Sequence, residues 1–148
     1  MKIINIYLII ILISMSKPAL SQGIQIPGPY HWKNRIILLF SSNHGDKYQQ
    51  QLEVFNTESA GMKDRDLVVF YIKDNIVESP KGKTYNEKEA ERLREQFQIV
   101  ENAFSVILIG KDGTQKLKQD EVLSTDKLFA VIDAMPMRRR EMRQDGNY

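Results

Sequence analysis

The chain predicts an α/β domain in which a parallel βαβ unit is followed by an antiparallel β-hairpin. Three observations carry this expectation. Two runs, Ile36–Phe40 and Leu67–Ile72, are apolar without interruption, as strands buried on both faces of a parallel sheet are. The stretch between them has helical spacing, and a strand–helix–strand crossover is right-handed. Finally, Gly110-Lys111-Asp112-Gly113 separates two further strand-like runs, and Asp-Gly suits the positive φ angles of hairpin turns.

The N-terminal stretch stands apart from this core. Lys2 supplies a positive charge, and Ile3 to Met15 is an apolar run broken by Asn5, Tyr7 and Ser14. The run falls short of the ~20 residues a membrane-spanning helix needs. Ala19-Leu20-Ser21 then places small residues at the two positions a signal peptidase reads. Residues 1–21 are therefore expected to be a signal peptide cleaved before Gln22. An uncleaved anchor is the alternative. Export to a periplasmic or extracellular compartment follows, with no stable membrane insertion after cleavage. Residues 22–31, carrying Pro27, Gly28 and Pro29, read as an extended leader. Residues 32–137 form the expected domain and 138–148 a basic tail.

Within the domain, Arg35 to Phe40 is the first strand. Asp46 is placed to cap the following helix, with Gln49 at the capping-box position. Tyr48, Leu52 and Phe55 share one helical face, and Gly61 reads as its terminator. Leu67 to Ile72 is the second strand. Lys73 to Tyr85, with Pro80 and Gly82, reads as a polar loop. Asn86 caps a second helix whose inner face holds Ala90, Leu93 and Phe97, while Glu87, Lys88, Glu91, Arg92 and Glu95 face solvent. Phe104 to Ile109 is a third strand, and Thr114 to Leu117 pairs back as a fourth. Ser124 or Thr125 opens a last helix with Leu128, Ile132 and Met135 spaced for burial. Pro136 should end or kink it. Parallel strand pair, antiparallel hairpin and covering helices together make the thioredoxin-like core.

Composition then limits the chemistry. The chain has no Cys, and thiol–disulfide exchange requires a thiolate. Thiol redox activity is excluded, and stability must come from the core rather than disulfides. Without Lys2 and Lys17 the 21 basic residues fall to 19, matching 19 acidic ones. A near-neutral mature chain argues against a global nucleic-acid or membrane field. The local exception is Arg138, Arg139, Arg140 and Arg143. His31 and His44 are the only histidines, so no metal site or cofactor is expected.

Four strings carry a resemblance: Trp32-Lys33-Asn34-Arg35, Asp64-Arg65-Asp66-Leu67-Val68-Val69-Phe70, Leu108-Ile109-Gly110-Lys111-Asp112-Gly113, and above all Ile132-Asp133-Ala134-Met135-Pro136-Met137-Arg138-Arg139-Arg140-Glu141-Met142-Arg143. Together they resemble a bacterial domain of unknown function also present in the vertebrate extracellular proteins Drs, Urb and Equarin. The resemblance spans the mature chain. It implies a thioredoxin-like fold and transfers no catalytic residues. The vertebrate members' link to extracellular matrix and cell adhesion reaches a single-domain chain by analogy alone.

Two candidate sites follow. The loop Ser41-Ser42-Asn43-His44-Gly45-Asp46 lies after the first strand, at the crevice α/β folds favour for ligands. Ser41, Ser42, His44 and Asp46 invite a hydrolase or transferase reading against that of a solvated helix start. The second site is an edge. Strand directions bring all four family-like strings to the end of the sheet opposite that loop. Arg65, Arg138, Arg139 and Arg140 are candidates there for an anionic ligand or an unknown protein partner. Asp64, Asp66, Asp112 and Asp133 are candidate carboxylates that lock the tail internally. The leading expectation is a non-redox binding or accessory module.

Overall fold

A computed structural model describes residues 23–42 and 45–146. The expected signal peptide, the cleavage position before Gln22, and Asn43 and His44 of the candidate loop lie outside the described residues.

A six-stranded mixed sheet in the order β4-β3-β2-β1-β5-β6 organises the chain. Its strands are β1 (Arg35–Phe40), β2 (Leu67–Ile72), β3 (Val77–Glu78), β4 (Thr84–Tyr85), β5 (Ser105–Ile109) and β6 (Gln115–Gln119). β1 runs parallel to β2, with Ile36 opposite Val68. It runs antiparallel to β5, with Ile36 opposite Ile109. The helices are α1 (Asp46–Thr57), α2 (Ser59–Asp64), α3 (Glu87–Phe97), α4 (Thr125–Asp133) and α5 (Pro136–Gln144).

The uninterrupted apolar run of β1 reflects two cores. Ile36, Leu38 and Phe40 join one cluster with Phe70, Ile72, Leu93 and Ile107. Ile37 and Leu39 point the other way, to Tyr48, Phe55, Leu108, Leu128 and Ile132. The period-two alternation of a strand places successive residues on opposite faces. With α3 on one face and α1, α2 and α4 on the other, neither face of β1 meets water.

Several local expectations change. Asp46 is the first helical residue rather than the cap; Gly45, which has no side chain to offer, occupies the cap position. Asp46 still meets the positive helix end, where an acid is favourable. Gly61 does not terminate a helix but lies inside α2. A Cβ there would sit 2.7 Å from the Phe129 ring, so the glycine permits close packing of α2 on α4. The expected loop Lys73–Tyr85 contains β3 and β4, which extend the sheet beyond β2. Pro136 opens a new helix as its first residue instead of only ending the old one. The missing N–H costs nothing at that position. The leader is not simply extended: Gly28–Tyr30 forms a 3-10 turn. Ile24 is buried, its N–H donates to Glu89 Oε2 at 2.9 Å, and its carbonyl accepts from Arg92.

The caps at Asn86 and Ser124 match expectation. Asn86 accepts from the N–H of Glu89 and Ser124 from that of Lys127.

Candidate functional site

The parallel register of β1 with β2, and the antiparallel register of β1 with β5, put three chain segments at one end of the sheet. The starts of β1 and β2 and the Gly110–Gly113 turn meet there. The N–H of Trp32 donates to the Lys111 carbonyl at 2.8 Å, and that of Arg35 to the Asp66 carbonyl at 3.0 Å. Helix α5 closes this end through side chains.

Glu141 is the hub. Its Oε2 lies 3.1 Å from Arg35 Nη2, its Oε1 lies 2.8 Å from Lys111 Nζ, and Arg138 Nη1 approaches to 3.7 Å. Arg35 is 1% exposed. Its Nη1 donates to the Arg65 carbonyl at 3.0 Å, and its Nε has no partner among the described residues. Lys111 also reaches Asp66 Oδ2 at 2.7 Å.

Arg138 is 4% exposed. It donates from Nε to Asp133 Oδ1 at 3.3 Å, from Nη1 to the Asp64 carbonyl at 3.0 Å, and from Nη2 to the Asp64 carboxylate. Burial works against its charge. The field of Asp64 and the hydrogen bond to Asp133 outweigh that penalty and hold the guanidinium above its ordinary pKa. Arg65 grips the other side of Asp133, at 3.0 Å from Nε and 2.6 Å from Nη2. Its guanidinium lies 4.1 Å over the Phe129 ring, a favourable cation–π distance. Four cations (Arg35, Arg65, Lys111, Arg138) thus meet four carboxylates (Asp64, Asp66, Asp133, Glu141), and the local charge cancels.

The edge therefore departs from its sequence reading in three ways. Arg65, expected to be available to an anion, is engaged by Asp133, Asp64 and the Gly61 carbonyl. Asp66 pairs with Lys111 rather than an arginine. Asp112 does not lock the tail: its Oδ1 accepts from the Thr114 N–H at 3.1 Å and the Thr114 hydroxyl at 3.0 Å, and its Oδ2 pairs with Lys116 at 2.8 Å. Burial would raise that carboxyl, but the bonds from Lys116 and Thr114 bring it below its ordinary pKa. Arg139 and Arg140 are exposed and make no ion pair among the described residues. Arg35, Lys111 and Glu141 stand within the strings expected at this end but were not singled out as candidate site residues. One signal was present: a charged residue heading a fully apolar strand must find a partner when buried.

At the opposite end of β1, Ser41 is 2% exposed and its hydroxyl donates to the Ser42 carbonyl at 2.9 Å. Ser42 is half-buried and Asp46 exposed. Beside them Tyr48, Tyr71, Lys73 and Glu78 form a cluster, with Lys73 Nζ 2.9 Å from Glu78 Oε1 and 5.7 Å from the Tyr48 ring centre.

This cluster is expected to set an alkaline limit on stability. Burial raises the Tyr48 pKa; burial, helped by Tyr48 and Glu78, raises that of Tyr71. The hydrogen bond to Glu78 raises that of Lys73 against the opposing effect of burial. All three folded-state values exceed those of the unfolded chain, near 10 for Tyr and Lys. Their stabilisation is therefore complete below about pH 10 and disappears as pH rises through the folded values. The urea midpoint should fall steeply above about pH 10, with phenolate absorbance appearing as the chain unfolds. Tyr48→Phe with Tyr71→Phe should flatten that fall. A wild-type midpoint unchanged through pH 11.5, on the order of a unit above the unfolded values, would refute the account.

A family model described as a domain of unknown function, DUF4174, matches residues 28–141. The chain belongs to that family. The matched span includes every member of the ion-pair network. The DUF4174 domain is also 24% identical over 119 residues to the Sushi repeat-containing protein SRPX2 of Xenopus laevis; the alignment covers 76% of this chain and 25% of that protein. The domain thus spans about a quarter of that relative's length. Among solved structures it resembles the reduced 2-Cys peroxiredoxin of Plasmodium vivax, with a TM-score of 0.56 and 12% identity over 76% of this chain and 82% of that one. The mitochondrial 2-Cys peroxiredoxin of Plasmodium falciparum gives 0.52 and 12%, over 80% and 83%. At such identity the likeness establishes a thioredoxin-like fold and nothing about activity.

Proposed function

We propose that this DUF4174 domain is an exported, non-redox binding or accessory module. It engages a protein or an anionic partner through the sheet end formed by Asp64–Asp66 and the arginine-rich helix α5. The observation that carries the proposal is the division of labour along α5. Arg138 turns inward and is fully engaged. Arg139, Arg140 and Arg143 are exposed and unpaired among the described residues. Spacings of three and four residues make them neighbours on the helix surface. Their guanidinium groups suit phosphate, sulfate or carboxylate oxygens. Trp32, tied to the same end through the Lys111 carbonyl, is 61% exposed and stacks on His31 at 4.7 Å. Exposed Trp and Arg are favoured partner anchors. The absence of Cys supports the non-redox part, and the internal engagement of Ser41 weighs against a nucleophile in the Ser41–Asp46 loop.

The test separates ligand sources. Wild type and the triple variant Arg139→Gln, Arg140→Gln, Arg143→Gln are compared on a heparin column, with phosphatidylglycerol vesicles, and with inorganic phosphate. The triple variant should elute at clearly lower salt, or lose vesicle binding, while its Tm stays within about 2 °C, as surface changes of up to ~0.5 kcal/mol allow. Equal behaviour of both proteins in all three arms would remove α5 as the binding element. Export has its own check: the extracytoplasmic protein should begin at Gln22 by mass spectrometry, and a chain still starting at Met1 would refute it.

A further inference from the structure

One sheet edge is open, and it has the form of a strand-addition site. β2 is bordered by β1 on one side along its whole length. On the other side β3 pairs only with Tyr71 and Ile72. Leu67 to Phe70 therefore have no strand neighbour on that side among the described residues. Burial reflects this: β1 is buried at every position, whereas Leu67, Val68 and Val69 are each half-buried.

The direction of the backbone groups is settled by the bonds at either end. The carbonyls of Asp66 and Ile72 accept from Arg35 and Ser41, on the β1 side. The Lys73 N–H donates to Ile76, on the β3 side. Successive residues of a strand direct their backbone groups to opposite edges. The N–H and C=O groups of Leu67 and Val69 therefore point outward, away from β1.

Two clefts flank this open edge, one on each face of the sheet. On the α1/α2 face a cleft of about 330 Å³ is lined by the apolar Phe55, Met62, Leu67 and Val69 and by the charged Lys63 and Asp66. On the α3 face a second cleft of about 330 Å³ has Phe70, Tyr30 and Tyr85 as walls and Lys81 and Lys83 at its rim. Lys83 Nζ lies 4.5 Å from the centre of the Tyr85 ring. An added strand would present alternate side chains to the two faces.

We infer that the open edge of β2 binds an extended peptide segment of a partner protein by strand addition. The segment pairs with the outward groups of Leu67 and Val69. It places an apolar side chain against Phe55 and Met62 and an acidic one beside Lys81 and Lys83. The occupant's chemistry follows from the apolar side chains that line one cleft and the two lysines that line the other. The inference does not depend on the arginines of α5.

The probe is a capped hexapeptide alternating Glu and Val, with a Lys–Val peptide of the same length as control. Binding is read by chemical-shift changes and amide exchange in the isotope-labelled domain. The Glu–Val peptide should slow exchange at Leu67 and Val69 at least tenfold, and the Lys–Val peptide should bind at least tenfold more weakly. Val69→Pro removes the outward donor without removing a bond to β1. Lys81→Glu with Lys83→Glu inverts the rim and leaves the edge intact, and it keeps the test decisive if Val69→Pro fails to fold. Both variants should lose the protection, read at Leu67 alone in Val69→Pro, which has no amide at 69. No protection in wild type at millimolar peptide, or equal binding of the two peptides, would overturn the inference. So would wild-type self-association that already protects both amides, since the edge would then be an interface between copies of this chain.

Discussion

Replacing Glu141 with Ala should be among the most destabilising single changes in the domain. The carboxylate lies between Arg35, Lys111 and Arg138. Lys111 would keep Asp66, and Arg138 would keep Asp64 and Asp133. Arg35 would keep only the Arg65 carbonyl, for a cation 1% exposed whose Nε is already unpartnered among the described residues. Removing one partner of a buried pair costs about 3–5 kcal/mol, because the other charge stays buried and uncompensated. For a domain of this size that corresponds to a Tm loss on the order of 10–15 °C. Glu141→Gln should fall between, since the amide oxygen still accepts but the charge is gone. Combining Glu141→Ala with Arg35→Met should recover much of the loss, because the stranded charge is removed together with its partner. If Glu141→Ala shifts the denaturation midpoint by less than about 0.5 kcal/mol, within the range of ordinary surface changes, the hub plays no part in stability.

The same hub shows where sequence reasoning stops. β1 and β2 were legible because a short continuous apolar run fits a strand covered on both faces and little else, and both occupy the residues expected. The Asn86 and Ser124 caps were legible because the side chain that caps is local. β3 and β4 were not: two-residue strands have no period to detect, and they exist because β2 offers an edge to pair with. Pro136 carried two opposite meanings, helix end and helix start, and only the packing of α5 distinguishes them. The convergence of Asp64, Asp133 and Arg138 followed from strand direction and the return of the last helix to that end of the sheet. Glu141 did not, because its role depends on Arg35, 106 residues earlier in the chain. Asp112 misled for the converse reason. A carboxylate inside a tight turn finds nearby donors before distant ones, and here Thr114 and Lys116 claim it.

Arg138→Ala tests whether α5 is fastened from within. Its cost differs in origin from that of Glu141→Ala. The carboxylates left behind, on Asp64 and Asp133, have side chains 49% and 31% exposed. Water can therefore replace part of what they lose, and Asp133 keeps Arg65. What is not replaced is the buried aliphatic stem of Arg138 and the donor to the Asp64 carbonyl. A loss of about 2–3 kcal/mol is expected, between that of an exposed ion pair and that of a fully buried one. It should be accompanied by undocking of α5, read as faster proteolysis at Arg139, Arg140 and Arg143 under native conditions. Arg138→Lys should rescue little, because one ammonium cannot span Asp133, the Asp64 carbonyl and the Asp64 carboxylate as the planar fork does. Arg139→Ala and Arg140→Ala, on the exposed side, should leave both Tm and proteolysis of the remaining sites nearly unchanged. If Arg138→Ala and Arg139→Ala behave alike, the inward and outward arginines are not distinct. The binding reading of α5, which needs the helix fixed by one arginine so that the others are presented, would then lose its physical basis.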